Sequence, residues 1–334
     1  MSRWKTAVVG FGRIAAGYAD DPAQARWYPF ASHAQALQAH PAFDWVAVVD
    51  SSDTARASAK SRWGIDRVAA SVDGLDNAAD IEVIVLATPP DARRGILDRF
   101  PRLRAVIAEK PLGTNFADAE SFVAECRRRQ ILVAVNLPRR YDADLRGLAS
   151  GGLHQRVGPP MAAFGTYGNG IRNNGTHLVD LIRMLFGSIV SASVVAGATA
   201  FEEGPIAEDL NFPFSLVMAG GPVVMVQPLR FAHFREVSLD IWGERGRLQL
   251  VHEGLTAIHT PVAANRQLTG AQEIAHDHPD VAITSVGRAL YGLYDNLSEA
   301  LAGRAALLCS GDEGLQTMST IEELLRMAPS VVRA

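Results

Sequence analysis

A short apolar run, Thr6-Ala7-Val8-Val9, ends on Gly10-Phe11-Gly12-Arg13-Ile14-Ala15. No other feature limits the folding choices of this chain as much. A strand that delivers a G-x-G-x-x-A turn into a helix-compatible stretch is the entry to a doubly wound α/β sheet, and the turn lets backbone close on a pyrophosphate. Gly10 permits the tight turn, Gly12 admits the phosphates, and the small Ala15 lets helix and strand touch. A helix starting there points its free N–H groups at the anion. A second run, 45–49, ends on Asp50, whose carboxylate suits both ribose hydroxyls of NAD and repels a 2′-phosphate. NAD is therefore the expected cofactor. Arg13 and Arg56 keep NADP as the alternative.

The same texture repeats through the first 137 residues. The run 81–87 is almost continuously apolar, as in a parallel strand buried on both faces, and ends on Thr88-Pro89-Pro90. The run 104–108 ends on Glu109-Lys110-Pro111, and 131–135 ends on Asn136. Ligands of doubly wound sheets sit at the carboxyl ends of strands, so Gly10, Asp50, Thr88, Lys110 and Asn136 are expected on one side of the sheet. The expected cofactor contacts are Gly10, Phe11, Gly12, Arg13, Ile14, Asp50, Thr88, Pro89, Glu109, Lys110 and Asn136. A strand-end lysine is ordinarily just solvated. Lys110 precedes a proline, where a cis bond is cheap, and a cis turn would aim it back over the nicotinamide.

One interval is irregular. The acidic residue usually follows the glycines by about 20 residues, and here the gap is nearly double. The excess falls in 18–32, which holds Tyr18, Pro22, Trp27, Tyr28, Pro29 and Phe30. Two readings stand side by side: a surface loop capped by Ser32 where a helix resumes at His33, or an aromatic lid or oligomer arm beside the cofactor.

Beyond Arg139-Arg140-Tyr141 the pattern turns to alternating β-type segments at 161–167, 189–195, 214–218, 223–227, 237–242, 247–251 and 255–259. Gly220-Gly221 and Gly243-Glu244-Arg245-Gly246 have the residues of hairpin turns. Helical stretches follow at 286–302 and 313–327. The expected architecture is an α/β Rossmann domain (1–137), then an α+β domain with an open, mostly antiparallel sheet (138–304). A C-terminal helix (305–334) would return to the first domain. Runs such as Val223-Val224-Met225-Val226 leave apolar side chains on both faces of that sheet, so a homodimer or homotetramer is expected through it.

Composition narrows the function classes. With 334 residues and 48% hydrophobic content the chain can fill two cores. A net charge of −4 with interspersed signs argues against nucleic acid, and the basic run Arg127-Arg128-Arg129 suits a helix C-terminus. Two cysteines, Cys126 and Cys309, do not suggest a disulfide scaffold. A strand begins within five residues of the N-terminus, leaving no room for a signal peptide, and no apolar run approaches a membrane span. A cytoplasmic protein is expected, with no metal.

The acid–base candidates lie in Asn173-Asn174-Gly175-Thr176-His177-Leu178-Val179-Asp180. At helical spacing His177, Asp180 and Met184 share one stripe, with Asn173 in line before it. Leu178, Leu181, Ile182 and Leu185 form the adjoining apolar stripe. A histidine at a helix N-terminus is favoured in its neutral form and can act as a base. His233 and His259 read as structural, and Asp180 could equally be a solvated helix carboxylate.

Together the glycine turn, the Thr-Pro strand end, Glu-Lys-Pro, Asn136 and Gly-x-His-x-x-Asp resemble the glucose–fructose oxidoreductase/inositol dehydrogenase/rhizopine catabolism family nearly end to end. The resemblance implies an NAD(P)-dependent redox step interconverting a secondary alcohol and a ketone on a sugar, cyclitol or sugar derivative, nucleotide sugars included. It implies Lys110 and His177 as the catalytic pair, assisted by Asn173, and Asp180 on the substrate side. Arg140, Tyr18 and Trp27 complete the expected substrate contacts. Three departures from the family pattern stand out. Asn173 replaces an aspartate that would orient or relay the proton. Pro90 and Arg93 replace an asparagine and a histidine after Thr-Pro. The third is the long 18–32 segment. Two other classes remain open: an enzyme that uses bound NAD for transient oxidation without net redox, and a non-catalytic sensor.

Overall fold

A computed structural model describes residues 3–331 except 94. The chain divides into two compact units, one of residues up to 141 with 287–316, the other of 142–286 with residues from 317 onward.

In the first unit, strands β1 (Trp4–Val9), β2 (Phe43–Val49), β3 (Val68–Ala69), β4 (Val83–Leu86), β5 (Ala105–Ala108) and β6 (Leu132–Val135) form one parallel sheet in the order 3-2-1-4-5-6. That is the doubly wound order expected for a dinucleotide fold. Strands β4 and β5 are buried at every position because layers cover both faces. Helices α1 (Pro22–Trp27), α2 (His33–Ala39), α3 (Asp53–Trp63) and α4 (Phe116–Arg128) belong to this unit. Helix α4 ends on the basic run: Arg128 and Arg129 pair with Glu125, and Arg127 with Asp312.

In the second unit, helices α5 (Ala143–Gly147), α6 (Leu153–Val157) and α7 (Thr176–Phe186) accompany a nine-stranded, mostly antiparallel sheet. Its strands are β7 (Pro160–Tyr167) and β8 (Ile189–Val194), then, beyond the separate pair β9 (Phe201–Glu202) and β10 (Leu210–Asn211), β11 (Phe214–Met218), β12 (Val223–Pro228), β13 (Ser238–Gly243), β14 (Gly246–Val251), β15 (Thr256–Ala264), β16 (Gln272–Ile274) and β17 (Asp280–Ile283). Among the described residues of this sheet, β7 and β12 are the one parallel pair. Alternation works as the pattern implies: Phe214, Leu216 and Met218 point inward, while Val217 points out. Helix α7 covers the inner face closely enough that a Cβ on Gly165 would lie 3.0 Å from Leu178. The outer face exposes Met161, Phe164, Val217, Val223 and Met225, with Phe164 opposite Met225 and Val217 opposite Val223.

Helices α8 (Ala289–Leu301) and α9 (Gly311–Arg326) close the chain. Here the domain boundaries differ from expectation. The break falls after Tyr141, and α8 belongs to the Rossmann unit. Its inner stripe of Leu290, Leu293, Tyr294 and Leu297 is buried, the Tyr294 hydroxyl reaches His33 at 2.8 Å, and His40 meets Asp295 at 3.0 Å. Helix α9 is divided too: Gly311–Gln316 groups with the first unit and residues from Thr317 with the second. Gly311 and Gly314 allow the first half to pack on Val123, Val133, Leu112 and Val135.

Candidate active site

The glycine turn is held by three strand ends. Gly10 has φ +88°, donates its N–H to Val49 at 2.8 Å, and sits where a Cβ would lie 2.7 Å from the Ala87 carbonyl. Only glycine meets both demands. Gly12 is different: it is exposed, and a Cβ there meets nothing within 4 Å. The protein's own packing leaves that position clear, as the close approach of a phosphate requires. Asp50 reaches back to the turn, accepting from Phe11 N at 2.6 Å and Ser52 N at 2.8 Å. The Phe11 ring turns inward against Trp45. Phe11 therefore shapes the turn through its committed amide and buried ring. Arg56 is turned toward the carbonyls of Asp50 and Ser51, at 2.7 and 2.9 Å.

The expected helix after the turn is not continuous. Residues 13–16 make a single turn, with Ala16 N on Gly12 O at 3.0 Å, and a 3-10 segment (Gly17–Asp20) follows. The helix resumes at α2, and its first amides return to the turn: His33 N donates to Ile14 O at 3.1 Å and Ala34 N to Ala15 O at 2.8 Å. With residues 18–32 absent these would be ordinary i→i−4 bonds. The long interval is thus an insertion into the first helix. Ser32 and Gln35 cap the resumption with a capping box. Within the insertion Tyr18 lies under Arg13, Asp20 pairs with Arg62, and Phe30 packs on Tyr291 with ring centroids 4.6 Å apart. Trp27 is 46% exposed, and its carbonyl occupies the space where a Cβ of Gly287 would stand.

The ends of β4, β5 and β6 carry the other polar groups. Thr88 Oγ1 and Asn136 Oδ1 are buried with no hydrogen-bond partner among the described residues. Buried polar atoms normally find partners, so both suit a polar ligand at the carboxyl edge of the sheet. With the open Gly12 and the Asp50 carboxylate beside the turn, the residues present fit a nicotinamide dinucleotide. Pro89 is exposed next to Thr88. The Lys110–Pro111 bond is cis, as the sequence suggested, and Lys110 is half-buried. Glu109 turns inward instead of presenting its carboxylate at the surface. Its Oε1 meets His33 Nε2 at 3.0 Å and accepts from Asn136 Nδ2 at 2.5 Å. Burial pushes the Glu109 carboxyl upward, but His33, Asn136 and Lys110 together outweigh it and hold the group below its ordinary range. Arg140 is also committed inside this unit, buried and 3.0 Å from Glu313. That placement departs from the expected substrate contact, because the charge is answered by a protein carboxylate.

The second unit carries the histidine. Helical winding begins before α7, in a π turn (Ile171–Gly175) that runs into it through Gly175 in helical conformation. His177 is therefore inside a continuous helical segment and not at its N-terminus, which weakens the dipole argument, since that effect fades within the first turn. The real N-terminus is capped from elsewhere: Asp209 accepts from Arg172 N and Asn173 N at 3.0 Å each, and Asn211 Oδ1 from Gly170 N at 2.9 Å. Burial raises the Asp209 carboxyl despite those two amides and the Arg172 charge. A Cβ on Gly170 would fall 2.0 Å from Asp209, so the cap requires glycine there. Asn173 Nδ2 donates to Asn169 O at 3.1 Å. His177 is half-buried with Nδ1 inside the protein.

Asp180 is 1% exposed, accepts from Thr317 Oγ1 at 3.0 Å and lies 3.7 Å from Arg183, which itself donates to Thr317 Oγ1 at 2.7 Å. The solvated-carboxylate alternative is excluded by that burial. His33, Arg93, Asp209, Asn211, Tyr294 and Thr317 were not assigned site roles from the sequence. Apart from the Arg93 contacts to Thr88 and to Pro111 and Leu112, five to nineteen positions away, their contacts at the site join residues tens to hundreds of positions apart, which no local pattern encodes.

Residues 4–137 match the model of an oxidoreductase family with an NAD-binding Rossmann fold, the Gfo/Idh/MocA family. Inositol 2-dehydrogenase of Rhizobium meliloti (strain 1021) is 21% identical over 320 residues, covering 88% of this chain and 92% of that one. The Rossmann segment, residues 4–137, is that of the Gfo/Idh/MocA family. The protein is an NAD(P)-dependent oxidoreductase acting on CH–OH groups. Solved structures share its fold over nearly the whole length. An oxidoreductase from Agrobacterium radiobacter in complex with NAD+, L-tartaric acid and magnesium has a TM-score of 0.72 at 16% identity, covering 98% of this chain and 96% of that one. KijD10, a 3-ketoreductase from Actinomadura kijaniata in complex with TDP-benzene and NADP, has a TM-score of 0.74 at 15% identity, with full coverage of both. Among the described residues, no group of three or more His, Cys, Asp or Glu could hold a metal ion, and no helix is long and apolar enough to cross a membrane.

Proposed function

We propose that the protein interconverts a secondary alcohol and a ketone on a cyclitol, sugar or sugar derivative, with NAD preferred over NADP. The observation that carries this reading is the placement of Lys110 at the carboxyl end of β5, one strand beyond β4 from the glycine turn of β1. At roughly 4.8 Å per strand, the turn and the lysine are about 10 Å apart across the sheet edge. A nicotinamide held at this sheet edge would supply the hydride chemistry. The chain's own residues handle the oxygen. His177 takes the hydroxyl proton in the oxidative direction, and Lys110 stabilises charge as it develops on oxygen. Asn173 orients the imidazole without carrying charge. Asp180, buried and held by Thr317 and Arg183, supports the helix that carries His177. Tyr18 and Trp27 lie on the insertion and supply aromatic surface for a sugar ring. Inositol 2-dehydrogenase among the relatives supports a polyol substrate, and KijD10 supports a nucleotide-linked one.

Screening inositols, aldoses, sugar acids and nucleotide sugars, each with NAD and NADP, tests the reading through nicotinamide absorbance. Lys110→Ala and His177→Ala should each lose ~10²–10⁴ in turnover while still binding NAD. Cofactor that stays bound and is never changed by any polyol would instead favour transient oxidation or a sensor. The exposed outer face of the second unit's sheet is proposed to bind a second copy of the chain.

A further inference from the structure

Lys110 is flanked by two buried anchors, each of which holds one of its chain neighbours. On the N-terminal side, the Glu109 side chain is tied to His33 and Asn136. His33 is fully buried, and its other ring nitrogen lies 2.8 Å from the Tyr294 hydroxyl. Burial keeps that phenol protonated well past neutral pH. Nδ1 and the hydroxyl share that hydrogen bond, and Nε2 faces Glu109 Oε1. On the C-terminal side, Arg93 is only 4% exposed. Its Nε and Nη2 donate to Thr88 O at 3.2 and 2.8 Å, and its Nη1 donates to Pro111 O at 3.1 Å and Leu112 O at 3.5 Å. One planar guanidinium thus bridges the loop after β4 to the turn after β5. Gly113 extends the fixed stretch, since a Cβ there would lie 2.4 Å from Ala119 N.

We propose that Arg93 and Glu109 are positioning residues that clamp the backbone of Lys110 from both sides, so that its ammonium works from a fixed base. This rests on the reading of Lys110 as catalytic. A lysine stem has four rotatable carbons and offers no geometry of its own, and a misplacement of about 1 Å can cost roughly 10²-fold in rate. An arginine fork can span carbonyls of two loops, which a single ammonium cannot. Burial lowers the Arg93 pKa to about 10, with the Glu109 and Asp118 charges opposing the fall, so the fork stays charged at neutral pH.

The chain has three lysines, Lys5, Lys60 and Lys110, so ¹³Cε-lysine labelling of the full chain with NAD added yields three side-chain signals. The Lys110→Arg spectrum assigns the third. In the wild type the two Lys110 methylene protons should have separate shifts, while those of Lys5 and Lys60 average. Arg93→Met and Glu109→Ala should collapse the Lys110 pair toward the averaged position and raise amide exchange across 109–113 by roughly 10- to 100-fold, the effect of losing a buried charged hydrogen bond. Glu109→Gln retains an acceptor for His33 and Asn136 and should preserve the wild-type signature. A general loss of packing would give no such rescue. Thermal melts of each variant identify one that fails to fold, and the remaining anchor then carries the test. Unchanged Lys110 signals in both Arg93→Met and Glu109→Ala, or an averaged pair already in the wild type, would overturn the clamp. Normal turnover in Lys110→Ala would overturn the catalytic reading instead and leave the clamp result standing.

Discussion

Excising residues 18–32, so that Gly17 joins His33, tests whether the long interval is an insertion into one helix. In the shortened chain the amides of His33 and Ala34 fall four positions beyond Ile14 and Ala15, and the bonds now made at 3.1 and 2.8 Å become ordinary helical turns. What is lost is small: within 18–32 the buried residues are Ala31 and Ser32, and the Ser32 cap is not needed once the helix runs on from Gly17. Half-burial of Phe30 on Tyr291 contributes about 1 kcal/mol, and the ring pair about another 1. The exposed Asp20–Arg62 pair adds no more than ~1 kcal/mol. Against this, closing a loop of that length costs roughly 2.4 kcal/mol in chain entropy, which excision returns. The net change lies within about 2 kcal/mol of zero, so Tm should move by no more than about 6 °C. Circular dichroism melts and NAD calorimetry are the assay, with a cooperative transition and NAD affinity within tenfold expected. A chain that gives no cooperative transition, or melts more than about 15 °C lower, would refute the reasoning.

Asp50→Ser should weaken NAD by about tenfold, the loss expected for charge-assisted bonds to the ribose, and narrow the gap to NADP; a wild type that binds NADP at least as tightly would refute this role. Phe164→Glu with Met225→Glu should dissociate a sheet-mediated oligomer in light scattering, and a clean wild-type monomer at micromolar concentration would refute the oligomer outright. Glu109 has a folded pKa below its unfolded value, so its stabilising contribution is complete above the ordinary carboxylate range and is lost as pH falls through the folded pKa. The acid limb of stability, read from urea midpoints, should therefore be shallower in Glu109→Gln by up to about 1.4 kcal/mol per pH unit; identical limbs would count against a buried, ionised Glu109.

The amino-acid sequence by itself determined the elements whose signal is local. Apolar runs ending on Gly10, Asp50, Thr88, Lys110 and Asn136 describe strands buried on both faces, and the observed strand order places all five at the carboxyl edge. Alternation in 214–218 and the glycine pairs at 220–221 and 243–246 likewise describe hairpins of a half-covered sheet, because side chains alternate faces with period two. The extra length between the glycines and Asp50 was legible as an anomaly. Only the fold showed that α2 closes back on Ile14 and Ala15.

Tertiary structure alone decided the inner support of the site. The inward turn of Glu109 depends on His33 and Asn136, the burial of Asp180 on Thr317, and the cap beneath His177 on Asp209. It also placed α8 with the Rossmann unit, since Tyr294 and Asp295 find partners in α2 and in His40 just beyond it. The physical reason is common to all of them. Periodicity and turn chemistry act between near neighbours, whereas a buried polar group takes whichever partner packing brings within about 3 Å, at any separation along the chain.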